Sequence, residues 1–202
     1  MTQTTDVLQE IACDFASVIP AVDKEATHER WDPGIGPFEE ERQLEMVLDA
    51  LASKGEVPAN IEREVRYPES GRRCDLVIRD RTLEIPIEAK LLRFRLDNGN
   101  IDPNMYKSVF SPFPERSSSS LLTDAQKLAE SDFGLPCGLL GLYYEKENEE
   151  YQQLRADRIA EKFEIDVEYW YDLEIETVAV EPFERLRHPH HQKGAVISWV
   201  VR

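Results

Sequence analysis

Apolar positions along this chain change their spacing several times, and each change marks an element. Val7, Leu8, Ile11, Ala12, Phe15, Val18 and Ile19 recur at helical intervals. They predict an amphipathic helix over 4–19, capped by Thr5 or Asp6 and ended by Pro20. Pro33, Gly34, Gly36 and Pro37 mark the irregular stretch that follows. Leu44, Val47, Leu48 and Leu51 predict a second helix over 38–53, stopped at Gly55. The period then falls to two, which predicts strands over 61–67, 73–79 and 83–92. The last two meet in a hairpin around Arg79-Asp80-Arg81-Thr82. Residues 98–120, rich in Asn, Pro and Ser, predict a long irregular loop, and 121–130 predict a helix. The near-continuous apolar run over 137–144 predicts the centre of a covered sheet, with Gly138 and Gly141 allowing close helix packing. A charged helix over 149–163 follows. Val167, Tyr169, Tyr171, Leu173 and Ile175 alternate, predicting one or two strands within 165–182, and a final strand spans 195–201.

Strand alternation places chemistry on the second and third strands. Glu88 and Lys90 project from one face of an extended chain, while Ile85, Ile87 and Ala89 line the other. Asp75 likewise points away from Leu76 and Ile78. Hairpin pairing brings two carboxylates and an ammonium together, a set able to hold Mg²⁺ and activate a water against a phosphodiester. A surface ion pair between Glu88 and Lys90, worth about 0.2–1 kcal/mol, is the plainer reading. It leaves unexplained why three polar residues share one face amid apolar strands.

The pattern Asp75-x(12)-Glu88-x-Lys90, set between apolar strands and preceded by a glutamate-bearing helix, resembles the PD-(D/E)xK nuclease superfamily, the group that contains restriction endonucleases. The resemblance covers roughly residues 38–144, and Cys74 stands where the strict pattern has proline. It implies an α/β fold: a restriction endonuclease-like core of central mixed sheet flanked by helices. The N-terminal helix and a C-terminal, strand-rich elaboration over 149–202 complete one domain of 202 residues. It also implies a metal-dependent nuclease, most naturally a DNA endonuclease of restriction, phage defence or repair. Asp75, Glu88 and the backbone of Ala89 would bind Mg²⁺ (or Mn²⁺), and Lys90 would hold or deprotonate the attacking water. The first core helix would add an acid; Glu41 heads the Glu-x-x-Leu-x-x-x-Leu pattern and is preferred to Glu40. Gln126 and Lys127 on the second core helix, with Arg66, Arg72 and Arg73, would face nucleic acid, RNA as well as DNA.

Composition changes this picture in one respect. The formal charge of −16 opposes binding to a polyanion, yet residues 60–96 hold nine Lys/Arg against seven Asp/Glu. The candidate site is a non-acidic island, whereas 161–184 carries nine acids and Lys162 as its only base. A second reading follows: a catalytically silent protein of nuclease fold, its acidic body docking a basic partner or mimicking DNA. An active subunit that borrows DNA affinity from a basic protein reconciles the two, and a homodimer would suit cleavage of both strands. Cys13, Cys74 and Cys137 each sit in apolar runs and read as buried free thiols. No apolar stretch approaches the ~18 residues of a membrane span, and no basic leader opens the chain, so a cytoplasmic protein is expected. His188-Pro189-His190-His191 invites a zinc reading. With four His in the chain and no cysteine nearby, it reads instead as a turn.

Overall fold

A computed structural model describes residues 3–55, 61–69, 71–80, 83–113 and 119–202. Its strands are β1 (Ile61–Arg66), β2 (Arg73–Asp80), β3 (Leu83–Arg93), β4 (Cys137–Glu145), β5 (Ile175–Phe183) and β6 (Lys193–Val201). They form one sheet in the order β1-β2-β3-β4-β6-β5. Only β3 and β4 run parallel; the other neighbours are antiparallel, so the sheet is mixed. The helices are α1 (Gln3–Glu25), α2 (Glu40–Lys54), α3 (Pro103–Phe110), α4 (Leu121–Ala129) and α5 (Ala156–Tyr171).

Two apolar cores follow from the alternation of side chains along the strands. Ile85, Ile87, Ala89 and Leu91 of β3 join Leu140, Leu142 and Val196 beneath α1 and α2. Leu92, Leu139, Tyr143, Ile197 and Trp199 pack on the opposite face under α3, α4 and α5. β4 is buried almost throughout because both its faces are covered. Gly138 permits the approach of α1, since a Cβ there would lie 2.6 Å from Leu8 Cδ2. Among the described residues, no helix is long and apolar enough to cross a membrane.

Several expectations need correction. α1 runs through Pro20 to Glu25 instead of ending there. Its stripe continues with Val22 and Asp23, and burying that face outweighs the backbone bond that proline removes. Thr5 and Asp6 lie inside α1, which already begins at Gln3. Within 98–120, α3 forms, capped by Asp102, whose side chain accepts from Asn104 N–H at 2.9 Å. The stretch 165–171 is the end of α5, not strand. Ile159, Ala160, Phe163 and Val167 set a helical stripe into the core, which overrides the alternation of Val167, Tyr169 and Tyr171. Cys13 is exposed, whereas Cys74 and Cys137 are buried free thiols. Arg81 and Thr82 of the expected hairpin turn, and Ser117 and Ser118, lie outside the described residues.

Candidate functional site

The β2–β3 ladder runs from Asp80↔Leu83 to Leu76↔Ile87 and goes no further. β3 continues to Arg93, so its amides beyond Ile87 on that side have no strand to bond. Side-chain carboxylates take them. Ala89 N–H donates to Asp75 Oδ2 at 2.8 Å, and Leu91 N–H donates to Glu40 Oε2 at 2.5 Å. Two acids from different elements thus stand where a neighbouring strand would have run.

β2 is irregular at the same place. The β1–β2 ladder pairs Arg63 with Leu76 and Val65 with Cys74, skipping the position between. There Glu64 has a left-handed backbone, φ 53, which costs about 1–3 kcal/mol for a residue with a side chain. Cys74 and Val77 belong to one core and Leu76 to the other, so alternation breaks across Asp75.

Around this break the polar side chains converge. Lys90 Nζ lies 3.3 Å from Glu40 Oε1 and 3.9 Å from Asp124 Oδ2. Lys127 Nζ lies 2.6 Å from Glu88 Oε1 and 3.1 Å from Asp124 Oδ1. Tyr67 donates its hydroxyl to Glu88, and Glu88 and Asp124 are buried. The expected residues Asp75, Glu88, Lys90 and Lys127 therefore meet in one cluster, joined by Glu40, Asp124 and Tyr67.

The helix acid is Glu40 and not Glu41, which is exposed. Buried positions of α2 are Gln43, Leu44, Val47, Leu48 and Leu51. Glu40 precedes them at i−3 and i−4 and lies on the inward stripe, while Glu41 turns outward. Gln43 hid this register. Its amide donates to the Phe38 carbonyl at 2.7 Å and its oxygen accepts from Tyr144 at 2.6 Å, so a polar residue occupies a core position. Asp124 escaped notice beside Lys127, although the two are spaced i, i+3 on α4. No sequence signal marks Tyr67.

Electrostatics distinguish the members. Burial, with Asp75 nearby, pushes Glu88 up from 4.5 to about 8 despite Lys127. Burial also raises Glu40 against the opposing pull of Lys90. Burial works to lower Lys90, but Glu40, Asp124 and Asp75 outweigh it and leave the ammonium holding its proton more tightly than usual. Burial and Glu88 raise Tyr67, which stays a phenol donor.

An open cleft of about 560 Å³ adjoins the cluster, lined by Tyr67, Arg72, Gln126, Lys127 and two acids, Glu69 and Glu130. Three of the expected nucleic-acid contacts therefore share one wall with the site. Gln126 donates to Glu130 at 2.8 Å. Arg73 is turned elsewhere, donating to the Glu64 carbonyl at 2.6 Å, and Arg66 is exposed on the edge strand.

The acids of the cluster suit magnesium better than a transition metal, being oxygen donors near a solvent cleft. Glu88, raised by burial and by Asp75, is the group a cation would relieve. Among the described residues, the one trio of His, Cys, Asp or Glu ligand atoms within 4.8 Å of one another is Asp97, His188 and His191, beyond the end of β3. Comparison with protein-family models, curated proteins and solved structures finds no match for this chain.

Proposed function

We propose that the chain is a metal-dependent nuclease with a restriction endonuclease-like core, cleaving phosphodiester bonds of DNA. The observation that carries this reading is the convergence of Asp75, Glu88, Lys90 and Glu40 where β2 leaves β3, beside a cleft bearing Arg72 and Lys127. Four ionisable groups at a break in a sheet are costly to bury, and such strain collects at sites of function.

Asp75, Glu88 and the Ala89 carbonyl would hold Mg²⁺, which supplies Lewis-acid stabilisation of phosphoryl charge and a more acidic water. Asp75 is held in place by the Ala89 amide. Lys90, kept cationic by its acids, would hold the water or a phosphate oxygen; its firm proton supports holding over deprotonation. Glu40 orients Lys90, and Asp124 orients both lysines. Lys127, now paired with Glu88, would turn to a phosphate oxygen of the substrate strand when Glu88 serves the metal. The net charge of −16 opposes affinity for DNA, and a basic partner protein would supply what the acidic body lacks.

Calorimetry tests this reading. Wild type should bind Mg²⁺ in the millimolar range or tighter, and Asp75→Asn and Glu88→Gln should each lose that binding. Absence of Mg²⁺ binding by wild type favours the silent scaffold, in which the four ion pairs only fill the break in the sheet.

A further inference from the structure

Asp97, His188 and His191 come from two distant stretches, the turn after β3 and the connection from β5 to β6. His188 and His191 are fully buried, with rings stacked at 4.3 Å between centroids. Three side-chain atoms, Asp97 Oδ1, His188 Nε2 and His191 Nδ1, are buried and have no hydrogen-bond partner. Buried polar atoms without hydrogen-bond partners are destabilising, so three facing one another point to an occupant.

We propose that these three atoms form a binding site for a zinc-type divalent transition ion, with water completing the coordination. Two imidazoles and one carboxylate are a donor set that suits zinc and not magnesium. The spacing agrees. Asp97 Oδ1 lies 3.8 Å from His188 Nε2 and 3.9 Å from His191 Nδ1. Ligands on a tetrahedral zinc stand about 3.4 Å apart, from bond lengths near 2.0–2.1 Å. Groups bridged by one tetrahedral water stand about 4.6 Å apart, from hydrogen bonds near 2.8 Å. The observed values are nearer the first.

The surroundings are those of a held ligand set. His191 presents Nε2 to the Arg95 carbonyl at 2.9 Å, which fixes a proton there and leaves the Nδ1 lone pair inward. Gly36 stands against this nitrogen, and a Cβ at Gly36 would lie 2.8 Å from it. Asp97 sits on a tight turn closed by Leu96 N–H to the Asn100 carbonyl and Gly99 N–H to the Leu96 carbonyl, both 2.8 Å. Arg93 Nη1 stands 3.5 Å from the same Asp97 Oδ1 and would have to give way to the ion there. One hydrogen bond is also given up. His188 Nδ1 now accepts from His190 N–H at 3.2 Å, and ligation through Nε2 moves a proton to Nδ1. The ion would tie the β3 exit and the β5–β6 connection to the Gly36 loop, which Arg93 also holds by donating to the Gly36 carbonyl at 2.6 Å. That loop leads into Glu40, so the site braces the approach to the β2–β3 cluster from outside it.

The test is zinc binding in excess Mg²⁺, with Co²⁺ absorption as the spectroscopic probe. Wild type should bind one Zn²⁺ per chain and give the visible bands of tetrahedral Co²⁺ with nitrogen and oxygen ligands. Asp97→Asn and His191→Gln should weaken binding more than ~10-fold. Should a variant fail to fold, histidine NMR of wild type decides: Zn²⁺ should shift His188 and His191, and spare His28. Wild type without stoichiometric zinc would overturn the proposal. So would binding retained in both variants, or lost instead in Glu88→Gln.

Discussion

Asp75 accepts a hydrogen bond from the backbone of Ala89 at 2.8 Å, in the place where β2 would otherwise have paired with β3. The carboxylate is a structural substitute for a strand as well as a candidate metal ligand, and the two roles separate by substitution. Asp75→Asn keeps an acceptor oxygen and should change stability by less than about 1 kcal/mol, whereas Asp75→Ala strands a buried amide and should cost about 1–3 kcal/mol. Urea unfolding of both variants measures this, and both should lose Mg²⁺ binding.

Lys90 is expected to matter for rate more than for folding. Lys90→Met keeps the aliphatic stem packed and removes the charge, and should lower cleavage by about 10²–10³-fold. Circular dichroism should show the same fold. Since Glu40 then loses the cation that opposes its burial, Glu40→Gln in the same background should restore stability without restoring cleavage.

Helix α2 offers a paired control. Glu40→Gln should reduce cleavage at least about tenfold, because it withdraws the charge that orients Lys90. Glu41→Gln, on the exposed side, should leave cleavage unchanged and shift stability by no more than about 0.5 kcal/mol.

The raised proton affinity of Glu88 fixes the sign of a pH effect. Its folded value, about 8, exceeds the ordinary 4.5, so folding takes up a proton between them. In the absence of metal its contribution to stability is full below about pH 4.5 and is lost as pH rises through about 8. Chemical unfolding from pH 5 to 9 should show this decline, and Glu88→Gln should flatten it. Because the metal needs the carboxylate, Mg²⁺ affinity should rise by up to about tenfold per pH unit until about pH 8 and then level.

Much of the candidate cluster was legible in the chain. Asp75, Glu88 and Lys90 announce themselves because strand alternation is a rule of local geometry, and a polar pair within an apolar strand breaks it visibly. Lys127 and Gln126 come from the family resemblance, which sets a second core helix against the site. Glu40 could not be told from Glu41 while Gln43 passed for a surface residue; its burial depends on Tyr144, a hundred residues away. The continuation of α1 past Pro20 was hidden for a similar reason. Asp23 is fully buried, accepting from Ile35 N–H at 2.9 Å and Arg187 N–H at 2.8 Å, and neither partner is local. The histidine segment read as a turn and does lie in an irregular connection, but its companion Asp97 comes from a loop ninety residues earlier. Tertiary partners of polar residues carry no periodic signal, and that is where the sequence falls silent.

Cleavage itself is the most direct measurement. Labelled single- and double-stranded DNA should be incubated with wild type, Glu88→Gln and Lys90→Met at low salt, with Mg²⁺ and with chelator. Mg²⁺-dependent cleavage by wild type, lost in both variants at unchanged circular dichroism, is the predicted result. Cleavage that survives in both variants, or no cleavage of any substrate by wild type at saturating Mg²⁺, would contradict a nuclease centred on the β2–β3 break.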